Sequence, residues 1–223
     1  MQKFATPARI TAVLTLPAGR VQLIAADRAD TTVEIRPADP TKSRDVKTAE
    51  QTTAVYDAGA GVLRIEGPAP KSQLLGGQGA VEITVQLPAG SHVEAGAGAA
   101  EFRGVGRFGD VTFEGGYREV KLDEATSARL SSHDGDITVG RLTGPAELST
   151  QRGTIRIAEA VRGALTLTTQ QGDIEVAVAH GTSASLDAGT TYGRVSNSLK
   201  NDGTSTLTIT ATTAQGDITA RSL

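Results

Sequence analysis

The densest cluster of chemically capable side chains is Ser132-His133-Asp134-Gly135-Asp136, which sets a hydroxyl, an imidazole and two carboxylates within five residues. A catalytic triad or a metal site needs such groups to converge on one point. Neighbouring residues of a turn or strand point apart, so the expected reading is a polar turn. His92 and His180 lie far away in the chain and would join only if repeats stacked them together. No catalytic, cofactor-binding or metal-ligating residue is assigned.

Four other patterns suggest chemistry. Gly104-Val105-Gly106-Arg107-Phe108-Gly109 matches the dinucleotide fingerprint, but that site needs a strand before it and a helix opening on its last Gly. Here a strand pattern, 110–114, follows, so a turn is expected. Gly76-Gly77-Gln78-Gly79 lacks the Lys-Ser/Thr of a phosphate loop and reads as plain loop. Recurrent Gly-Asp hints at calcium, but calcium solenoids repeat Gly-Gly-x-Gly-x-Asp every nine residues. One Asp per coil is expected to accept backbone N–H groups at a turn. The aromatics Tyr117, Tyr192, Phe102, Phe108 and Phe113 could stack on sugars. Phe113 is expected in the core and Tyr192 at a packed corner.

Composition narrows the field. The 223 residues include no Cys and no Trp, seven aromatics and 26 Gly, with a net charge of −3. Disulfides, thiolate metal sites and thiol catalysis are excluded. The mild negative charge argues against nucleic acid as a partner. No run of 18 apolar residues suggests a transmembrane helix. Ile10–Leu16 has the apolar character of a short leader core, but Thr15-Leu16-Pro17-Ala18-Gly19 is echoed at Gln86-Leu87-Pro88-Ala89-Gly90. A motif reused at mid-chain is a strand and turn rather than an export tag, so a cytoplasmic location is expected.

The elements that must position these residues are strands. Residues 1–90 alternate apolar and polar side chains over 10–16, 20–25, 32–36, 53–57, 62–66 and 81–87. Residues 37–50 read as a loop with one helical turn at most, and 67–79 as a second loop. Residues 91–223 repeat the phrase Gly-Asp-Ile-x-Val, at Gly109, Gly135, Gly153, Gly172, Gly193 and Gly216, in steps of 26, 18, 19, 21 and 23 residues. A second Gly series, Gly144, Gly163, Gly181 and Gly203, falls about half a period later. Two turns per period imply two strands per period.

The fold class expected is all-β: a β-solenoid of two-strand coils of about 19 residues with an N-terminal β-rich capping region, the alternative being a β-sandwich or roll. The two regions are expected to form one continuous structural unit. Ile137, Ile155 and Ile174 should form one inward ladder, faced by Leu130, Leu148 and Leu167, with Gly135, Gly153, Gly172 and Gly216 at the turns. In chain order the residue after each phrase Gly runs Asp110, Asp136, Thr154, Asp173, Arg194, Asp217, so that Thr154 and Arg194 would keep the later acids two coils apart. The last coil, ending Ala220-Arg221-Ser222, would form the uncapped end, blunted only by its Thr-rich strand 204–213.

Phe4-Ala5-Thr6-Pro7, Leu16-Pro17-Ala18-Gly19-Arg20-Val21, Val33-Glu34-Ile35-Arg36-Pro37-Ala38-Asp39-Pro40, Leu87-Pro88-Ala89-Gly90-Ser91, Leu186-Asp187, Tyr192-Gly193-Arg194-Val195 and Gly216-Asp217-Ile218 together carry a resemblance over nearly the whole chain. The chain resembles the adhesin-like β-strand-repeat family known as domain of unknown function 4097, in its actinobacterial form. It has fewer middle coils than longer relatives. The resemblance implies a β-solenoid or related fold, no catalytic residues to carry over, and a link to cell-envelope stress.

The functional expectation is therefore a non-enzymatic scaffold or binding protein, adhesin-like, needing no cofactor, with protein or polysaccharide partners and association with the cell envelope. The alternatives are a carbohydrate-active β-helix enzyme, which would need paired carboxylates among Asp110, Asp136 and Asp173, and a scaffold that self-associates through its stack ends.

Overall fold

The computed structural model describes residues 1–68 and 79–223. Most of the 67–79 loop, including Gly76, Gly77 and Gln78, lies outside the described residues. The chain divides into two compact units, Met1–Tyr117 and Arg118–Leu223.

In the first unit the elements are β1 (Gln2–Ala5), β2 (Thr11–Ala26), β3 (Asp30–Pro37), α1 (Ser43–Gln51), β4 (Thr53–Asp57), β5 (Val62–Glu66), β6 (Val81–Pro88) and β7 (His92–Gly115). The runs 10–16 and 20–25 are one strand, because Pro17 needs no ladder bond of its own and Gly19, with φ +134°, turns the chain without ending it. One side of β2 pairs in parallel with β7 along nearly its full length. Its other side pairs with β5 over Thr11–Thr15 and with β6 over Gly19–Ala26. Antiparallel strands complete the unit: β4 on β5, β3 on β6, and β1 on β3. Leu14, Leu23, Leu63, Ile65, Ile83, Leu87, Phe102 and Phe113 fill the interior.

The loop expected at 37–50 contains the nine-residue helix α1. It has no apolar stripe to betray it, and its buried residues are polar. Asp45 accepts the backbone N–H groups of Asp39 (3.1 Å) and Ala80 (2.9 Å). The Thr48 hydroxyl donates to the Arg44 carbonyl. Hydrogen bonding, not apolar burial, seats this helix.

The second unit is a β-solenoid-like stack. Its strands are β8 (Val120–Asp134), β9 (Ile137–Leu142), β10 (Ala146–Arg152), β11 (Ile155–Ala160), β12 (Gly163–Gln171), β13 (Ile174–Val178), β14 (Ala184–Tyr192), β15 (Val195–Ser198), β16 (Leu207–Gln215) and β17 (Ile218–Ser222). All the pairings within it are parallel. One sheet runs from the second half of β8 through β10, β12 and β16 to β14. The other runs from the first half of β8 through β9, β11, β13 and β17 to β15.

The register stacks like on like. Ile137, Ile155, Ile174 and Ile218 are successive partners, and so are Leu130, Leu148, Leu167 and Ala211. The Ile and Leu members are at most 1 % exposed. Each buried aliphatic of this kind contributes about 1.5–3 kcal/mol, and only the adjacent coils make that burial available.

Two features differ from the register expected from sequence. First, Gly109-Asp110 is not a copy of the Gly135 phrase. Gly109 donates its N–H to Ser91 inside the first unit, while Val120 is the partner of Ile137. The coil preceding Gly135 opens at Arg118-Glu119-Val120, which has no Gly, so its step is 17 residues (135 − 118) rather than 26. Second, the last two coils are out of chain order. The coil of β16 and β17 lies between that of β12–β13 and that of β14–β15. The last coil in sequence is therefore interior, and the end of the stack is β14–β15.

Candidate functional site

The most regular polar feature of the stack is its phrase turn. Gly135, Gly153, Gly172 and Gly216 have φ between +142° and +150°. A Cβ on Gly153 would lie 2.2 Å from the Gly135 carbonyl oxygen, one on Gly172 2.0 Å from that of Gly153, and one on Gly216 2.0 Å from that of Gly172. The glycines thus form a column of close backbone approaches that no side chain could enter. An inward hydroxyl stands beside each step. Thr150, Thr169 and Thr213 donate to the carbonyls of Gly135, Gly153 and Gly172 at 3.0–3.2 Å, and Thr190 donates to Gly216 at 3.0 Å. These bonds satisfy acceptors that the ladder leaves open. Ser132 occupies the same row, opposite Thr150, and its buried hydroxyl has no hydrogen-bond partner.

Where an Asp follows the Gly, its carboxylate bonds across to the next coil. Asp136 accepts the N–H of Thr154 (2.7 Å), Asp173 that of Asp217 (2.7 Å), and Asp217 that of Arg194 (2.9 Å). The swap of the last two coils makes Asp173 and Asp217 direct neighbours, contrary to the two-coil spacing of chain order. Two like charges are accommodated there because the first carboxylate accepts the second residue's amide, and Arg194 Nε lies 3.8 Å from the Asp217 carboxylate.

The Ser132–Asp136 cluster does not converge. Ser132 points inward, His133 is exposed, Asp134 pairs with Arg152 at 2.8 Å, and Asp136 serves Thr154. His92 Nδ1 accepts the Asp110 N–H at 3.0 Å in the first unit, and His180 is exposed beyond β13. Gly104–Gly109 lies inside β7, where Gly106 (φ +91°) would place a Cβ 2.1 Å from the Ala25 carbonyl. That glycine serves a close strand approach, and no helix follows it. Among the described residues no group of three His, Asp or Glu is placed to hold a metal ion.

The aromatics separate as well. Phe102, Phe108 and Phe113 are buried, and the Phe102 and Phe113 rings pack with centroids 4.8 Å apart. Tyr192 is not a packed corner: it is 73 % exposed, because β14 belongs to the terminal coil and has no coil beyond it to cover the ring.

The outward faces carry charge pairs between adjacent coils. Arg129 meets Glu147 (3.1 Å), Arg141 meets Glu159 (3.6 Å) and Arg156 meets Glu175 (2.9 Å). Each pair is exposed and worth about 0–1 kcal/mol. Their effect is to keep a regular face free of a large field of one sign.

Parallel in-register coils, glycine-walled turns and inward Ile and Leu ladders build the second unit, and one family model spans both units. The Toastrack DUF4097 model matches residues 11–221. The chain belongs to the Toastrack DUF4097 family. Several solved structures resemble this Toastrack chain. A candidate adhesin from Bacteroides fragilis is 16% identical with TM-score 0.47, over 98% of this chain and 95% of that one. A candidate cell adhesion protein from Clostridium sporogenes is 10% identical with TM-score 0.39, over 100% and 98%. A candidate adhesin from Parabacteroides distasonis is 10% identical with TM-score 0.40, over 98% and 95%. A search of curated proteins gave no match. No helix among the described residues of this Toastrack chain is long and apolar enough to cross a membrane.

Proposed function

We propose that this Toastrack chain is a non-enzymatic binding scaffold, adhesin-like in role, whose outward rows meet a protein or polysaccharide partner at the cell envelope. The observation that supports this most is the use made of the phrase carboxylates. Asp136, Asp173 and Asp217 each spend an oxygen on a backbone N–H of the next coil. A carboxylate committed to holding coils together is a poor acid, base or nucleophile, which counts against the carbohydrate-active alternative built on Asp110, Asp136 and Asp173. What remains is a stiff, periodic surface, the kind repeat proteins use for contact. Affinity capture from the native host, run beside a glycan array, tests the reading. Reproducible retention of one protein or glycan class is expected. Turnover of any arrayed glycan would overturn it.

A second reading, self-association through the stack end, draws on the terminal coil. β15 is exposed at every residue, Val195 included, and β14 carries only Asp187 as a charge and no Pro or Lys. Strand edges of this kind invite pairing. Light scattering at rising concentration decides it: a monomer throughout removes the idea.

A further inference from the structure

A shallow recess of about 180 Å³ opens on the outer face of β11, β13 and β17, lined by Arg156, Ala158, Glu175, Ala177, Thr219 and Arg221 among others. Its origin is local. The register of β11 and β13 shifts between Ile157 and Ala160, so that Ala158 and Glu159 together oppose Ala177. Bulges of this type re-aim side chains and recur beside binding sites. On its other side Glu159 pairs with Arg141 of β9 in continuous register, and two methyl groups, Ala158 and Ala177, are left as a floor. Longer side chains stand around it. Arg156 and Glu175 form one rim, ion-paired at 2.9 Å. Arg221, the register partner of Ala177, stands on the adjoining strand with Thr219 beside it. Among the described residues Arg221 has no ion-pair partner and is exposed. Two guanidiniums against one carboxylate leave the recess with one net positive charge.

We infer that this recess binds a single hexuronate unit, a pyranose that carries a carboxylate. Each part of the site answers one part of that ligand. Arg221 offers a planar fork to the carboxylate, the geometry in which Arg outperforms a point charge. The two alanine methyls offer an apolar floor for the C–H face of the ring. Glu175 accepts from ring hydroxyls while remaining paired to Arg156, and Thr219 can donate or accept. The volume falls below the ~300–1,000 Å³ of clefts that enclose larger ligands, which fits one sugar ring rather than an oligomer. The inference deepens the binding-scaffold reading, and rests on it in treating the sugar as ligand rather than substrate.

The test is a titration of the whole protein, followed by amide chemical shifts, with glucuronate, galacturonate, glucose, acetate and a Glu-containing peptide, and with an oligogalacturonate to separate free uronate from polymer. Saturable shifts centred on Ala158, Ala177 and Thr219 are expected with a uronate, in the millimolar range for the monomer. Glucose and acetate should each bind at least about tenfold more weakly, since each supplies only half of the recognised groups. Arg221→Ala should weaken uronate binding about tenfold. Ala177→Leu should abolish binding by filling the floor, with the melting temperature confirming that each variant is folded. Arg141→Ala, outside the recess, should change nothing. The inference is overturned by absence of saturable shifts, by equal binding of glucose, by equal binding of acetate or the acidic peptide, or by indifference to Arg221→Ala. Those failures leave partner capture in the previous experiment untouched, so the two readings fail separately.

Discussion

The glycine column makes a sharp demand on a single atom, and Gly153→Ala tests it. The added methyl would sit 2.2 Å from the Gly135 carbonyl oxygen, well inside contact distance, in a residue held at φ +146°. A side chain in that backbone region costs about 1–3 kcal/mol. Relieving the overlap means moving the two coils apart at the turn. That weakens the Gly135 N–H bond to the Arg152 carbonyl (2.8 Å) and the Thr150 hydroxyl bond to Gly135 (3.2 Å), each worth about 1 kcal/mol. The expected loss is about 3–5 kcal/mol. Gly181→Ala is the control: its φ is +77°, and a Cβ there meets nothing within 4 Å. Its cost is the backbone term alone, about 1–2 kcal/mol. Urea unfolding of both variants beside the parent measures the difference directly. Destabilisation of the two variants to within about 0.5 kcal/mol of each other would show that the coils are not held at the spacing described.

Three further outcomes follow from the same geometry. Ile155→Asp places a carboxylate between Ile137 and Ile174 in a fully buried ladder; a loss of at least about 4 kcal/mol is expected, and an unchanged melting temperature and β-sheet circular dichroism would refute the ladder. Ser132→Thr gives the orphan hydroxyl the β-methyl that Thr150, Thr169 and Thr213 carry in the same row; a gain of about 0.5–1 kcal/mol is expected, and a loss larger than 1 kcal/mol would mean that the row has no room for the methyl. Asp30, hydrogen-bonded by Arg28 and Lys3, has its carboxyl lowered from 3.8 to about 2. Because the folded value is depressed, its contribution is complete above about pH 4 and is lost as pH falls through about 2. Acid unfolding of Asp30→Asn should therefore show a shallower dependence on pH between about 4 and 2 than the parent; identical slopes would remove Asp30 from the acid response.

The period and the inward residues were legible in the sequence because they are local. Gly-x-Ile-x-Ile/Val marks the coil turns at Gly135, Gly153 and Gly172, and alternation marks which side chains face inward. Neighbourhood was not legible. The phrases at Gly193 and Gly216 both announce a coil, but neither says which coil it will lie against, since pairing between coils is set by long-range packing. Gly109 misled for the opposite reason: its phrase matches the repeat by letter, while the true coil start, Arg118-Glu119-Val120, lacks the Gly. The helix α1 was hidden because Asp45 seats it through hydrogen bonds rather than an apolar stripe. The recess on β11, β13 and β17 depends on a register shift after Ile157 and on Arg221 lying beside Ala177, and neither follows from spacing along the chain.

The exchanged order of the last two coils also sets a timetable. A stack assembled strictly in sequence could grow one coil at a time as the chain emerges. Here β14 and β15 find no neighbour until Leu207–Ser222 has been made, because among the described residues their ladder partners are β16 and β17. Until then the growing chain holds an open slot beside β12 and β13, bridged by a loop whose closure has no ladder to reward it. The final layers must lock together as one event, two coils wide. A truncation within β16 would accordingly release both coils, and a second chain could fill the slot with its own β16–β17 during synthesis, the characteristic route to a swapped dimer in repeat proteins.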